Sequence, residues 1–104
     1  MATTTKALYR GAAATTNTTL YTAPNTSTTV VVSNIAITNT TTAAVTATVN
    51  LDTVAVLSSV SVAANTTTFV DLKQVIPANN PAKTITGSAS TTAVNFHISG
   101  VEIS

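Results

Sequence analysis

Along residues 43–51, Ala43, Val45, Ala47, Val49 and Leu51 fall on one parity, while Ala44, Thr46, Thr48 and Asn50 fall on the other. Successive strand side chains point to opposite faces, so this stretch predicts a strand buried on its odd side. Further β-branched and apolar segments at 6–10, 18–22, 29–38, 54–57, 60–62, 67–72, 84–88 and 94–103 also read as strands. Between them lie turn signals at Ala23-Pro24-Asn25, 39–42 and Ala63-Ala64-Asn65, and a longer loop over 77–83. No segment carries a capped 3.6-residue apolar period. Short strands spaced by roughly 8–12 residues predict an all-β fold, a single antiparallel β-sandwich or jelly-roll-like domain of about eight short strands.

One segment breaks its own alternation. Val94, Phe96 and Ile98 share a parity, yet Val101 and Ile103 take the opposite one, with Gly100 at the switch. This predicts a bulge or kink at Gly100 that re-aims the end of the chain. Phe69 and Phe96 are expected in the core. Tyr9 and Tyr21 fit either a core position with the hydroxyl at the rim or an anchor across a subunit interface.

Composition strengthens the strand reading. The 104 residues include 25 Thr, 13 Val and six Ile, and a branched Cβ suits a pleated surface better than a helix. That length fits one domain, with 1–12 as an N-terminal arm and first strand and 13–104 as the sandwich. Charged residues make up 7% of the chain, against roughly a quarter in an ordinary soluble domain. Much of the surface is therefore expected to lie against copies or partners. No cysteine occurs, which removes disulfides, zinc–cysteine sites and thiol catalysis. Lys6, Arg10, Lys73 and Lys83 are scattered, so no nucleic-acid surface is expected. Residues 1–20 lack the apolar region of a signal peptide and no apolar run reaches about 20 residues, so synthesis in the cytoplasm and no membrane contact are expected.

Catalytic chemistry finds little footing. His97 is the sole histidine, in Asn95-Phe96-His97-Ile98-Ser99, and a triad would need Ser99 with Asp71, Asp52 or Glu102 around it, without any nucleophile elbow. The three acids are isolated in sequence and read as solvated strand ends rather than as an acid/base pair or a calcium shell. Neither catalytic nor metal nor cofactor residues are expected. Gly11, Gly87 and Gly100 form no phosphate loop. Asn-x-Ser/Thr triplets at Asn17, Asn25, Asn39 and Asn65 occur about as often as chance gives in so Thr-rich a chain, and read as turn chemistry. Thr-x-Thr recurs at irregular steps, which excludes a solenoid and argues against an ice-binding lattice. Two tyrosines give thin support for sugar stacking, so a carbohydrate- or ice-binding module ranks low.

Several phrases together resemble small β-sandwich structural proteins of tailed bacteriophages. They are Leu8-Tyr9-Arg10-Gly11, Thr19-Leu20-Tyr21-Thr22-Ala23-Pro24, Ile35-Ala36-Ile37-Thr38-Asn39-Thr40, Val60-Ser61-Val62-Ala63-Ala64-Asn65-Thr66, and Ile85-Thr86-Gly87-Ser88-Ala89-Ser90 through to Ile103. The resemblance implies a non-enzymatic virion component, foremost a capsid decoration (cement) protein on the outside of a phage head, and alternatively a tail, baseplate or fibre part. It implies as partners the phage major capsid protein and copies of the chain itself, as a homotrimer, with location at the capsid surface. Contact residues expected from position are Thr3, Thr4, Thr5, Lys6, Tyr9, Arg10, Tyr21, Pro77, Asn79, Asn80 and Lys83. Removal of residues 1–10 is expected to weaken particle binding while leaving the sandwich folded.

Overall fold

The computed structural model describes residues 3–78 and 82–103. Eight antiparallel strands follow one another without helices among these residues: β1 (Thr3–Ala12), β2 (Thr18–Thr22), β3 (Thr29–Asn39), β4 (Val45–Leu51), β5 (Val54–Val62), β6 (Thr67–Ile76), β7 (Thr84–Ala89) and β8 (Val94–Ile103). One sheet, A, has the order β1-β8-β3-β6; the other, B, has β2-β7-β4-β5. The pairings β1 with β8, β2 with β7, β3 with β6 and β4 with β5 are nested, so the chain is one long hairpin of paired strands rolled into two sheets. The roll is closed by β3 on β8 and β4 on β7. This is the jelly roll, which buries two inner faces against each other and leaves two outer ones.

The core lies between the sheets. Ile35, Ile37, Val49, Val62, Ile85, Val94, Phe96 and Ile98 are fully buried, and Val45, Ala47 and Leu51 of β4 point inward as alternation requires. Ala43 does not: it is exposed and precedes β4. Burying such side chains contributes on the order of 25 cal/mol per Å² of apolar surface, the main favourable term for a chain with few charges. At the turn after β3, Asn39 is buried to 1% exposure. Its Nδ2 donates to the carbonyls of Ala43 (2.8 Å) and Val62 (3.1 Å), and its Oδ1 accepts from the Thr41 amide (2.9 Å) and hydroxyl (2.7 Å). Asn25 does the same at the surface, accepting from the Ser27 amide (2.8 Å) and the Thr28 hydroxyl (2.9 Å). These two Asn-x-Ser/Thr triplets thus close turns through the asparagine side chain.

Three sequence expectations change. The segments 54–57 and 60–62 are one strand, β5, whose pairing with β4 shifts register twice and whose Ser59 has φ 49°. Bulges of this kind suit an edge strand, because they spoil its pairing with a stray chain. The expected bulge at Gly100 is absent from β8: Val94, Phe96, Ile98, Gly100 and Glu102 all stay on the inner face. The irregularity sits on both neighbours instead, where β1 inserts Leu8 and β3 inserts Ser33 opposite the 98–100 stretch. Leu8 fills the space a side chain at Gly100 would take, since an added Cβ there would lie 2.9 Å from Leu8 Cδ1 and 2.3 Å from the Val31 carbonyl oxygen. Phe69 is the third change: it is 69% exposed on β6, while Phe96 is completely buried.

Candidate interaction surface

Alternation and register fix the outer face of sheet A. Residues 95, 97, 99, 101 and 103 of β8 point outward, and each heads a row of cross-strand neighbours. One row runs Thr5, Val101, Val31, Val75; the next runs Ala7, Ser99, Asn34, Asp71; the next runs Arg10, His97, Ala36, Phe69. Ile103 lies beyond the first row, between Thr3 and Thr29. Val75 is 60% exposed, and Val31, Val101 and Ile103 are half-buried on the side of the sheet that faces away from the core. Ala36 is outward-facing yet only 8% exposed, set between the larger His97 and Phe69. An outer sheet face of this kind is apolar without a partner, the usual mark of a surface that is covered in use.

The charged groups of this face are sparse. Asp71 Oδ1 accepts from Asn34 Nδ2 at 3.0 Å. Arg10 and Asp71 belong to neither of the two ion pairs among the described residues. Those pairs lie elsewhere: Lys83 with Asp52 at 3.0 Å, and Lys6 with Glu102 at 3.3 Å.

Glu102 corrects the expectation of a solvated acid. It points inward at the rim, its side chain 13% exposed, and accepts from Lys6 Nζ and from the hydroxyl of Tyr21. Tyr21 belongs to sheet B, so this contact ties the two sheets together at one end. Burial, then the Glu102 hydrogen bond and charge, push the Tyr21 phenol well above the ordinary tyrosine range.

The expected contact residues therefore separate. Thr3, Thr5 and Arg10 lie on the outer face of sheet A, whereas Thr4 and Lys6 stand opposite Glu102 and Gly100 on the inward parity. Tyr9 is half-buried and donates its hydroxyl to the Ala12 carbonyl at 2.8 Å, and Tyr21 is in the core. Lys83 is half-buried beside Asp52. Pro77 is exposed and lines a groove of about 250 Å³ with Leu51, Asp52, Val54, Val75 and Ile76. Asn79 and Asn80 lie outside the described residues. Phe69, Val75, Val31, Val101, Ile103 and His97 were not among the expected contacts; the apolar parity of Val101 and Ile103 carried the signal.

Among the described residues the triad candidates make no side-chain hydrogen bond to one another. His97 and Ser99 share the outer face of β8, while Asp52 and Glu102 are engaged with Lys83 and with Lys6 and Tyr21. Asp71 is bonded to Asn34, one row from His97. Among the described residues no three His, Asp or Glu side chains converge as a metal site would require.

No family model matches the chain, and no curated protein matches it. Solved structures do. The chain is similar in fold to one in the crystal structure of the T13 IBDV viral particle, with TM-score 0.59 and 14% identity over 98% of this chain and 31% of that one. It is similarly like a chain in the structure of infectious bursal disease virus Gx strain, with TM-score 0.57 and 15% identity over 97% of this chain and 31% of that one. At such identities the likeness is one of fold. This chain spans under a third of the length of either neighbour, and both neighbours come from an animal virus rather than a tailed bacteriophage.

Proposed function

We propose that this protein is a non-catalytic structural component of a virus particle. The observation that carries the reading is the jelly roll itself, similar over 98% of the chain to a chain of a viral particle. The apolar outer face of sheet A supports it, because a protein that works packed against copies or a shell has a use for such a face.

Within that reading, the specific role proposed is decoration of the outside of a phage head, where many weak symmetric contacts add through multivalency. The chain's low charge suits that role. Quantitative mass spectrometry of purified particles, with heads separated from tails, tests it. Hundreds of copies on heads are expected. Some tens of copies on tails would move the role to a tail or baseplate part, and absence from particles would overturn the virion reading.

The proposed role of residues 1–10 takes a different form from a detachable arm. Residues from Thr3 onward pair with β8 and Leu8 is in the core. Their deletion is expected to unfold sheet A together with any binding, so point changes on the outer face are the informative variants.

A further inference from the structure

We infer that the outer face of sheet A is a two-fold interface between copies of this chain, with the axis along the strands. The inference stands apart from the virion role, since it concerns association of the isolated protein.

The rows of this face are unlike at their two ends. On the β1 edge stand Thr5, Ala7 and Arg10; on the β6 edge stand Val75, Asp71 and Phe69, with exposed Lys73 between Val75 and Asp71. A two-fold axis parallel to the strands keeps each row at its level and exchanges its ends. Arg10 then meets Phe69 of the second copy, where a guanidinium stacks on an aromatic face. Asp71 of that copy lies two residues along β6 from Phe69, about 7 Å away, within reach of the same guanidinium as a charge partner. Among the described residues neither group has an ion-pair partner, so the pairing breaks none of those pairs. The middle of the row fits as well: His97 comes over Ala36, the small residue at the floor, and in the next apolar row Val101 comes over Val31. Every contact occurs twice, as an isologous interface requires.

Other terms agree in direction. A net charge of +1 gives a second copy little repulsion to overcome. Four strands at about 4.8 Å spacing and about ten residues in length present on the order of 600 Å² per copy. That is about 1,200 Å² in total, the low end of specific interfaces, so a reversible dimer is expected rather than an obligate one. The outer face of sheet B has no matching features: Thr46, Thr48, Asn50, Thr86 and Ser88 make it a hydroxyl and amide surface.

Sedimentation equilibrium of the full chain across about three decades of concentration reads the result. The wild type is expected to show a monomer–dimer equilibrium. Phe69→Ser should weaken it by about tenfold or more, and Thr46→Arg on sheet B should leave it unchanged. The decisive pair is Arg10→Asp and Asp71→Arg: each alone should weaken association, and the double variant should recover to within about threefold of wild type. Circular dichroism confirms that each variant keeps its strands. A monomer at all concentrations, a trimer, or a double reversal no better than the singles would overturn the inference. None of these results bears on whether the protein is found in particles.

Discussion

The two outer faces of the sandwich are built by the same strand alternation over one shared core, yet they differ in kind. Sheet B turns outward Thr19, Thr22, Thr46, Thr48, Asn50, Thr84, Thr86 and Ser88, with Ala55 at its edge. These groups hydrogen-bond among themselves: Asn50 Nδ2 donates to Thr86 Oγ1 and Asn17 Oδ1 at 3.2 Å, and Thr48 Oγ1 accepts from the Ser59 amide at 3.0 Å. Such a face is complete in water. Sheet A turns outward Val31, Val75, Val101, Ile103 and Phe69, whose hydration is unfavourable and is relieved only by a partner. The inner faces specify the fold, so the outer parity is where this small protein has room to specify association.

The two phenylalanines give the largest test of that division. Both are in sheet A, one on each face. Phe96→Ala is expected to cost about 3–5 kcal/mol through lost burial and the cavity left behind. Phe69→Ala should change the stability of the dilute protein by no more than about 0.5 kcal/mol. Urea unfolding at low concentration compares them, and equal losses would mean that Phe69 supports the monomer fold. A smaller but still large effect is expected for Asn39→Ala. It leaves the buried carbonyl of Val62 without that donor and the Thr41 amide without its acceptor, at a cost of about 2–3 kcal/mol. A loss that large from a turn residue, beside near-neutral outer-face changes, would place the energetics in the interior.

How far the sequence revealed this can be judged residue by residue. The strand segments were legible because β-branched runs and turn chemistry leave few alternatives, and 18–22 and 94–103 are strands to the residue. What alternation could not decide was the meaning of an apolar residue on the wrong parity. Leu8-Tyr9 and Leu20-Tyr21 each set two large apolar side chains in succession, and a bulge in β1 and in β2 turns both inward. Val101 and Ile103 look equally out of phase, but β8 runs straight and the pair belongs to an apolar outer face. Periodicity is the same in both cases; only the neighbours in the sheet differ, and these come from distant parts of the chain. For the same reason Phe69 read as core. Glu102 was hidden because its partners, Lys6 and Tyr21, lie 96 and 81 residues away.

The link between the sheets at Glu102 gives a pH-dependent test. Tyr21 keeps its proton in the folded state to a higher pH than the unfolded chain does, where tyrosine ionises near about 10. Its contribution to stability is therefore fully present below about pH 10 and is lost as the pH rises through the higher folded value. Wild-type unfolding free energy is expected to fall with rising pH in this alkaline window, and Tyr21→Phe should remove part of that slope. An unchanged slope would mean that the tie between the faces does not depend on this phenol.

A small effect of the opposite sign is expected where threonine stands in a turn rather than on a strand. On a strand its branched Cβ is an advantage, but the β4–β5 hairpin turns through Asp52 and Thr53 at φ 51° and 65°. Two positive φ values in a two-residue loop mark a type I′ turn, whose second position favours glycine and penalises a β-branched residue. Thr53→Gly should therefore stabilise the protein by about 0.5–1 kcal/mol, even though glycine makes the unfolded chain more flexible and so offsets part of the relief. Asp52 stays in place to keep its ion pair with Lys83. A shift of the urea midpoint to higher concentration with unchanged slope is the expected reading. A shift to lower concentration would show that Thr53 supports the groove beside Leu51 and Val54 by more than its backbone strain costs.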